Sequence, residues 1–226
     1  GSSFAGHTPE QPFVASMGIY VFSRDVLLEI LERHDATDFG REVIPASLGT
    51  HRVNAFLYQG YWAEVGTIES IYEANMMLTR DHPPFRFYHP KKPIFTRPRF
   101  LPASRLIDSH IDHALVAEGC YINRCTVDAS IVGIRTRIDE RARVSRSVLL
   151  GADYYEDEVG ERSVPLGIGR DSVLDRVIVD KNARIGCGVK LVNEKGIDHA
   201  DGENYVIRNG IIVVPKNGVI RDGTIV

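Results

Sequence analysis

Val179-Asp180-Lys181-Asn182-Ala183-Arg184-Ile185-Gly186-Cys187-Gly188-Val189-Lys190-Leu191 carries an aliphatic residue at every sixth position: Val179, Ile185 and Leu191. Mostly small, polar or glycine residues fill the intervals. The same step links Val116 to Ile122, runs through Val132, Ile138, Val144 and Leu150, and returns in Val213, Val219 and Ile225. An α-helix repeats at 3.6 residues and a strand at 2, so neither sustains this beat. A hexapeptide β-helix does. Each hexad supplies one short strand and one corner, three hexads close a triangular coil, and the aliphatic residue points inward so that stacked coils share a continuous core. A β-sandwich of short strands would show hairpin turns at a spacing of about 8–12 residues, and these are not evident. Residues 151–167, acidic, and 193–210, polar, break the beat. In solenoids such insertions leave as loops from one face.

Ahead of the repeats, residues 83–102 hold six prolines (Pro83, Pro84, Pro90, Pro93, Pro98, Pro102) among Lys91, Lys92, Arg97 and Arg99. That proline density keeps a chain extended and marks a linker. Earlier still, helix and strand signals alternate, which is α/β grammar. The near-continuous apolar run Phe13 to Phe22 predicts a strand buried on both faces, and Val53 to Tyr58 a second strand. Ser23 caps a helix with Val26, Leu27, Ile30 and Leu31 on one side. Asp38 opens a shorter helix that Pro45 follows, and Thr67 caps a third, Ile68 to about Leu78, with Ile71, Tyr72, Asn75 and Leu78 at helical spacing. About 95 residues make a thin α/β core, and the opening strand has no partner before it. This reading divides the chain into residues 1–95, part of a larger domain, and residues 96–226, the β-helix.

Composition closes several alternatives. The net charge of −3 gives no global basic field for nucleic acid. No window has the apolar length to span a bilayer, and the start carries no signal-peptide pattern. Gly1-Ser2 without an initiator Met reads as a remnant of processing or cloning. Cys120, Cys125 and Cys187 form an odd, sparse set without CxxC spacing, against both a disulfide framework and a zinc site. A reducing cytoplasm is the simplest compartment.

Five segments, in order, carry a resemblance: Ala15-Ser16-Met17-Gly18-Ile19-Tyr20-Val21-Phe22; Asp38-Phe39-Gly40 followed by Val43-Ile44-Pro45; Gly60-Tyr61-Trp62-Ala63-Glu64-Val65-Gly66-Thr67; Gly151-Ala152-Asp153-Tyr154-Tyr155-Glu156; and Ile178 to Gly186. From about Phe13 to Val226 the chain resembles the C-terminal half of the ADP-glucose pyrophosphorylases (glucose-1-phosphate adenylyltransferases). The resemblance implies a remnant of a Rossmann-like nucleotidyltransferase domain followed by a left-handed parallel β-helix. It implies an enzyme that makes ADP-glucose and pyrophosphate from ATP and glucose 1-phosphate with Mg²⁺. In-line attack at the α-phosphorus needs positioning and charge neutralisation above all. The resemblance further implies a homotetramer built partly by the β-helix, with phosphorylated metabolites as activators and phosphate or adenine nucleotides as inhibitors.

By the same resemblance Ser16, Tyr20, Asp38, Phe39 and Trp62 would line the glucose 1-phosphate pocket. Strand alternation would put residues 16, 18, 20 and 22 on one face, with Gly18 leaving space between Ser16 and Tyr20. Asp38 also stands where a helix N-cap belongs, and Trp62 could equally be a packing aromatic. Glu64 stands where the family has a Mg²⁺-binding Asp. Its extra methylene moves the carboxylate by roughly a bond length, and Mg²⁺ tolerates little geometric slack. Lys181 and Lys216 match activator lysines, and Arg99, with Arg97 beside it, matches an arginine linked to phosphate inhibition. Several cationic donors from separate segments suit a phosphorylated anion, although any one of them could be solvated surface charge. The family's Gly-rich loop GG-x-G-x-R-L, its first metal-binding Asp and its EKP lysine have no counterpart in residues 1–226. The chain is therefore expected to hold no catalytic residue and to be inactive alone.

Two readings of other classes compete. Hexapeptide β-helices also build acyltransferases, but His110, His113 and His199 come with no recognisable acceptor motif, and the α/β half would be unexplained. A non-catalytic module that assembles and binds effectors is the other.

Overall fold

The computed structural model describes residues 15–33, 36–156 and 164–226. The chain divides into two compact units, Gly1–Trp62 and Ala63–Val226.

In the first unit, α1 (Arg24–Arg33) follows Ser23 as its sequence predicts; Ile30 is buried, Val26 and Leu27 are half-buried, and Leu31 is exposed. Asp38 does open the next helical segment, accepting the Arg41 N–H at 2.8 Å. Pro45 then lies inside that segment and not beyond it. The first turn, Phe39–Val43, is π-helical, with Val43 N–H reaching the Asp38 carbonyl and Ile44 N–H the Phe39 carbonyl. It runs directly into α2 (Ile44–Leu48), where Pro45 occupies the first turn. Proline is tolerated there because its missing N–H is not needed, and the widened turn accommodates its ring.

Neither predicted strand of this unit forms among the described residues. Residues 15–23 and 53–58 join no ladder, and Ile19, Val21 and Phe56 are largely solvent-exposed; Phe13 and Val14 lie outside the described residues. A strand exists only where a neighbour takes its N–H and C=O groups, and no strand pairs with either run among the described residues. Gly18, at φ +69°, also departs from extended geometry.

The second unit is a parallel β-helix. Its first face runs Arg105–Ile107, Tyr121–Asn123, Arg137–Ile138, Gly167–Ile168, Arg184–Ile185 and Val219–Ile220. The second runs His110–Asp112, Thr126–Asp128, Arg143–Ser145, Val173–Asp175 and Lys190–Leu191, and the third starts Leu115–Val116, Ile131–Val132, Val148–Leu149, Val177–Val179, Ile211–Val214. Each strand pairs in parallel with its counterpart one coil on, except that Ile211–Val214 also takes up an antiparallel partner. Ile122, Val127, Val132, Ile138, Val144, Ile168, Leu174, Ile185 and Leu191 line one continuous core.

The coils are tighter than a strict six-residue repeat. Leu106 pairs with Ile122, and Ile122 with Ile138, each 16 residues on; Ile168 pairs with Ile185, 17 on. Some corners therefore close in five residues, as from Ile122 to Val127 to Val132. Such a corner puts one non-glycine residue in the left-handed region, Arg124 at φ +46°, Ala129 at +42° or Arg146 at +44°, and follows it with a small residue turned inward. Serine there acts twice. Ser130 Oγ donates to the Asp128 carbonyl at 2.6 Å and accepts the Ser147 N–H at 3.0 Å; Ser147 Oγ donates to the Ser145 carbonyl at 2.6 Å and accepts the Val177 N–H at 3.2 Å. A fully buried column of hydroxyls thus satisfies main-chain groups that the corner would otherwise orphan.

The shortened corners displace part of the expected core. Leu149, not Leu150, pairs with Val132 and points inward, while Leu150 is 40 % exposed. In the last run Val214, Ile220 and Val226 face the core in place of Val213, Val219 and Ile225, because Val179 pairs with Val214 and Ile185 with Ile220. A shift of one residue exchanges the two faces of a strand. Val213 is not wasted: α3 (Ile68–Met76) covers the outside of the third face. There Tyr72 packs on Val148, Ile178 and Ile211, with Ile68, Met76, Ile131 and Val213 around them. Thr67 caps α3 through a reciprocal pair with Ser70. Its inward stripe is Ile68, Tyr72 and Met76; Ile71 is exposed, and Asn75 bonds back to the Ile71 carbonyl. The Tyr72 hydroxyl donates to the Arg146 carbonyl at 2.7 Å.

The two insertions differ. Residues 193–210, expected as a loop, form strands: His199–Asp201 and Val206–Arg208 add antiparallel to Ile211–Val214. Ile207, which that segment keeps fully buried, supplies the reason. The other leaves the third face after Leu149. Gly151 sits there at φ +85°, where a Cβ would collide with the Ile134 carbonyl. Of that insertion residues 157–163 lie outside the described residues.

Candidate functional site

Four of the five residues expected at a sugar-phosphate pocket come together in the first unit. Ser16 Oγ accepts the Gly18 N–H at 3.2 Å and lies 3.1 Å from the Tyr20 hydroxyl. The two converge across a turn at Gly18 and not along a strand face. The Tyr20 ring stacks on Phe39 (6.0 Å between centroids, 15° between planes), and Phe22 tilts against Phe39 at 5.8 Å. Asp38 Oδ1, the oxygen that caps the helical turn, and the Tyr20 hydroxyl both approach Gly40, at 3.5 and 3.6 Å from where a Cβ would sit. A Cβ there would be in ordinary van der Waals contact with both oxygens. The arrangement offers two hydroxyls and a carboxylate beside an aromatic pair, a set able to bond sugar hydroxyls. Trp62 is 38 % exposed and makes no ring contact or side-chain hydrogen bond with the other four.

Glu64 is the second residue of the second unit. Its Oε1 folds back to 3.1 Å from the Cβ position of Gly66, and it belongs to no group of three or more ligand-type side chains among the described residues. Mg²⁺ wants octahedral oxygen ligands, commonly one or two carboxylates plus phosphate and water. The exposed Glu64 alone would supply one such carboxylate. The group that does cluster, Asp112, His113 and Asp128, is exposed throughout.

The lysines expected to bind an effector meet on one side chain. Lys181 Nζ lies 3.1 Å from Asp153 Oδ1, and Lys216 Nζ lies 2.9 Å from Asp153 Oδ2. Asn182 Nδ2 donates to the same Oδ2 at 3.1 Å, while Asn182 Oδ1 accepts the Asp153 N–H at 2.8 Å. The fold explains the convergence. Lys181 and Asn182 form the corner after Val177–Val179, and Lys216 forms the corresponding corner one coil on, after Ile211–Val214; Asn217 N–H bonds the Lys181 carbonyl at 3.0 Å. Asp153 reaches the same edge from the insertion that leaves the coil before. Hydrogen bonds from Lys216, then Lys181 and Asn182, hold the Asp153 carboxyl well below the usual carboxylate range, and Asp153 in turn raises Lys216. Neither Asp153 nor Asn182 was assigned a role from sequence, though both lie inside the motif segments; acid and amide at corner positions were the available signal.

Arg97 and Arg99 are exposed, and Arg99 Nη1 donates to the Arg97 carbonyl at 3.1 Å. Two residues on, Leu101 reaches within 3.4 Å of the Cβ position of Gly119, and the Gly119 carbonyl accepts the Tyr155 hydroxyl at 3.1 Å. Arg135 lies over the Tyr155 ring, 5.5 Å from its centroid. The arginine segment therefore enters the solenoid beside the insertion that carries Asp153. Arg184 is buried, paired with Glu156 at 2.6 Å and donating to the Val164 carbonyl at 2.9 Å, so it ties together the two sides of the insertion.

No helix among the described residues is long and apolar enough to cross a membrane. Residues 99–225 match the GLGC left-handed parallel beta-helix domain, and residues 7–81 match the nucleotidyl transferase family. The parallel three-faced coil, preceded by a short region of nucleotidyltransferase type, is what those two matches together require, and the chain belongs to the GLGC β-helix family as an ADP-glucose pyrophosphorylase-like protein.

Proposed function

We propose that this chain is the effector-binding and assembly half of a glucose-1-phosphate adenylyltransferase, an enzyme that joins ATP and glucose 1-phosphate into ADP-glucose and pyrophosphate for glycogen or starch synthesis. The observation that carries the reading is the meeting of Lys181 and Lys216, 35 residues apart in sequence, on one carboxylate. Two ammonium groups and an amide donor held at one edge form a receptor for a phosphorylated metabolite. Arg97 and Arg99 enter beside the same insertion and serve as the phosphate-responsive cations. Ser16, Tyr20, Asp38 and Phe39 hold the sugar of glucose 1-phosphate, and Trp62 is the substrate-side aromatic that the family resemblance implies. Mg²⁺ and the nucleotide belong to the whole enzyme, and Glu64 supplies at most one carboxylate to the ion. The whole protein is a cytoplasmic homotetramer assembled through its β-helix, and residues 1–226 alone form no ADP-glucose.

Calorimetric titration of the 226-residue chain with phosphorylated sugars and phosphoglycerate tests this. Saturable binding that Lys181→Ala and Lys216→Ala each weaken at least about tenfold supports it. Binding untouched by either substitution contradicts it, as does ADP-glucose formation by the purified chain. An acyltransferase would instead bind coenzyme A, and the described residues give no observation that favours that reading.

A further inference from the structure

We propose that Asp153 is a built-in anion occupying the Lys181–Lys216 cradle, and that a phosphate group binds there by displacing its carboxylate. The inference rests on the effector reading above and adds a competitor to it.

Charge is the first argument. Lys181 and Lys216 face Asp153, and Asp180 also bears on them: its Oδ1 accepts the Lys181 N–H at 2.6 Å, and its charge acts on Lys216. Two cations and two carboxylates leave the cradle neutral. With Asp153 in place, a phosphate dianion meets no excess positive field and an adjacent negative charge. With the carboxylate swung out, the donors it used are vacated together.

Those donors are the second argument. Lys181 Nζ, Lys216 Nζ and Asn182 Nδ2 all point at the two oxygens of Asp153. Three convergent N–H donors suit the three free oxygens of a phosphate monoester better than the two of a carboxylate.

The third is that displacement needs no refolding. The Asp153 main chain stays tied by its N–H to Asn182 Oδ1, and Asn182 is buried at its corner with φ +62°. The Asp153 side chain is 39 % exposed and those of Lys181 and Lys216 are 34 % and 52 % exposed. Side-chain rotation alone carries the carboxylate into solvent. The aspartate thereby sets a threshold: weak monoanions do not replace it, and a phosphate dianion does.

The test is calorimetric titration of the 226-residue chain with inorganic phosphate and, in a second arm, with 3-phosphoglycerate, for the wild type, Asp153→Asn, Asp153→Ser and the double variant Lys181→Ala/Lys216→Ala. Thermal melting checks that each variant is folded, and the serine variant stands in if the asparagine variant is not. The expected result is binding about tenfold tighter in both aspartate variants, as removal of one opposing charge at contact distance predicts, and none in the lysine variant. Tightening confined to one arm identifies free phosphate or the ester as the fitted ligand and supports the proposal for it. Unchanged or weaker binding in the aspartate variants, with binding still lost in the lysine variant, overturns the inference and leaves the effector reading standing. Wild-type affinity in the lysine variant overturns both.

Discussion

Val21 stands in a near-continuous apolar run and Ile185 amid polar and small residues, yet Val21 is 98 % exposed and Ile185 is fully buried. The difference lies in where each segment finds its partners. In the solenoid each short strand meets its counterpart one coil on, 16 or 17 residues away, or 30 or 35 where an insertion intervenes, so main-chain bonds and core contacts come from within the segment. The runs at 15–22 and 53–58 have the composition of strands but no neighbour among the described residues to complete a ladder. Apolar content specifies what a segment can bury, and topology decides whether it does.

This contrast can be broken most sharply at the core. Ile185→Ala should destabilise the solenoid by about 3 kcal/mol, the transfer loss plus the cavity left in a close-packed column; urea denaturation monitored by circular dichroism measures it. The register is tested next by two neighbouring leucines. Leu149→Ala should cost about 2–4 kcal/mol, and Leu150→Ala no more than about 1 kcal/mol. The reverse order would mean that the unbroken six-residue step, and not the shortened corner, is correct. Ser147→Ala should cost about 1–3 kcal/mol in the same assay, since it leaves the buried Val177 N–H without an acceptor. Val21→Ser should lie within about 0.5 kcal/mol of zero.

The smallest effect concerns pH. His113 lies between Asp112 and Asp81, each 3.0 Å from a ring nitrogen, and these carboxylates, Asp112 first, raise its pKa. A raised histidine contributes stability that is fully present below its unfolded pKa, about 6.5, and is lost as pH rises through the higher folded value. The melting temperature of the wild type relative to His113→Gln should therefore fall slightly between about pH 6 and pH 8, and salt should reduce the difference.

Most of the solenoid was legible because its period is unlike that of any other element. What the period could not reveal was the five-residue corner, whose cues are a left-handed residue such as Arg124 or Arg146 followed by a small one. The tail register misled because Ile211-Ile212-Val213-Val214 is apolar on both faces, one facing the core and the other facing α3. The two motifs assign Lys181 and Lys216 to one anion site, but that both meet a carboxylate there is not legible in them, since only the stacking of coils brings them together. Asp153 was hidden for the same reason. Of the sugar-side residues, Ser16 and Tyr20 do converge, but through the turn at Gly18, a geometry that alternation does not predict.

The claim on which the comparison rests is that residues 105–156 and 164–226 satisfy their own main chain while residues 15–22 and 53–58 do not. Amide hydrogen exchange read by mass spectrometry measures this directly. The account predicts strong protection of segments spanning Ile122, Ile138, Leu174 and Ile185, close to that set by global unfolding, and rapid exchange across 53–58. Equal protection of the two regions, or rapid exchange through the solenoid strands, would contradict it.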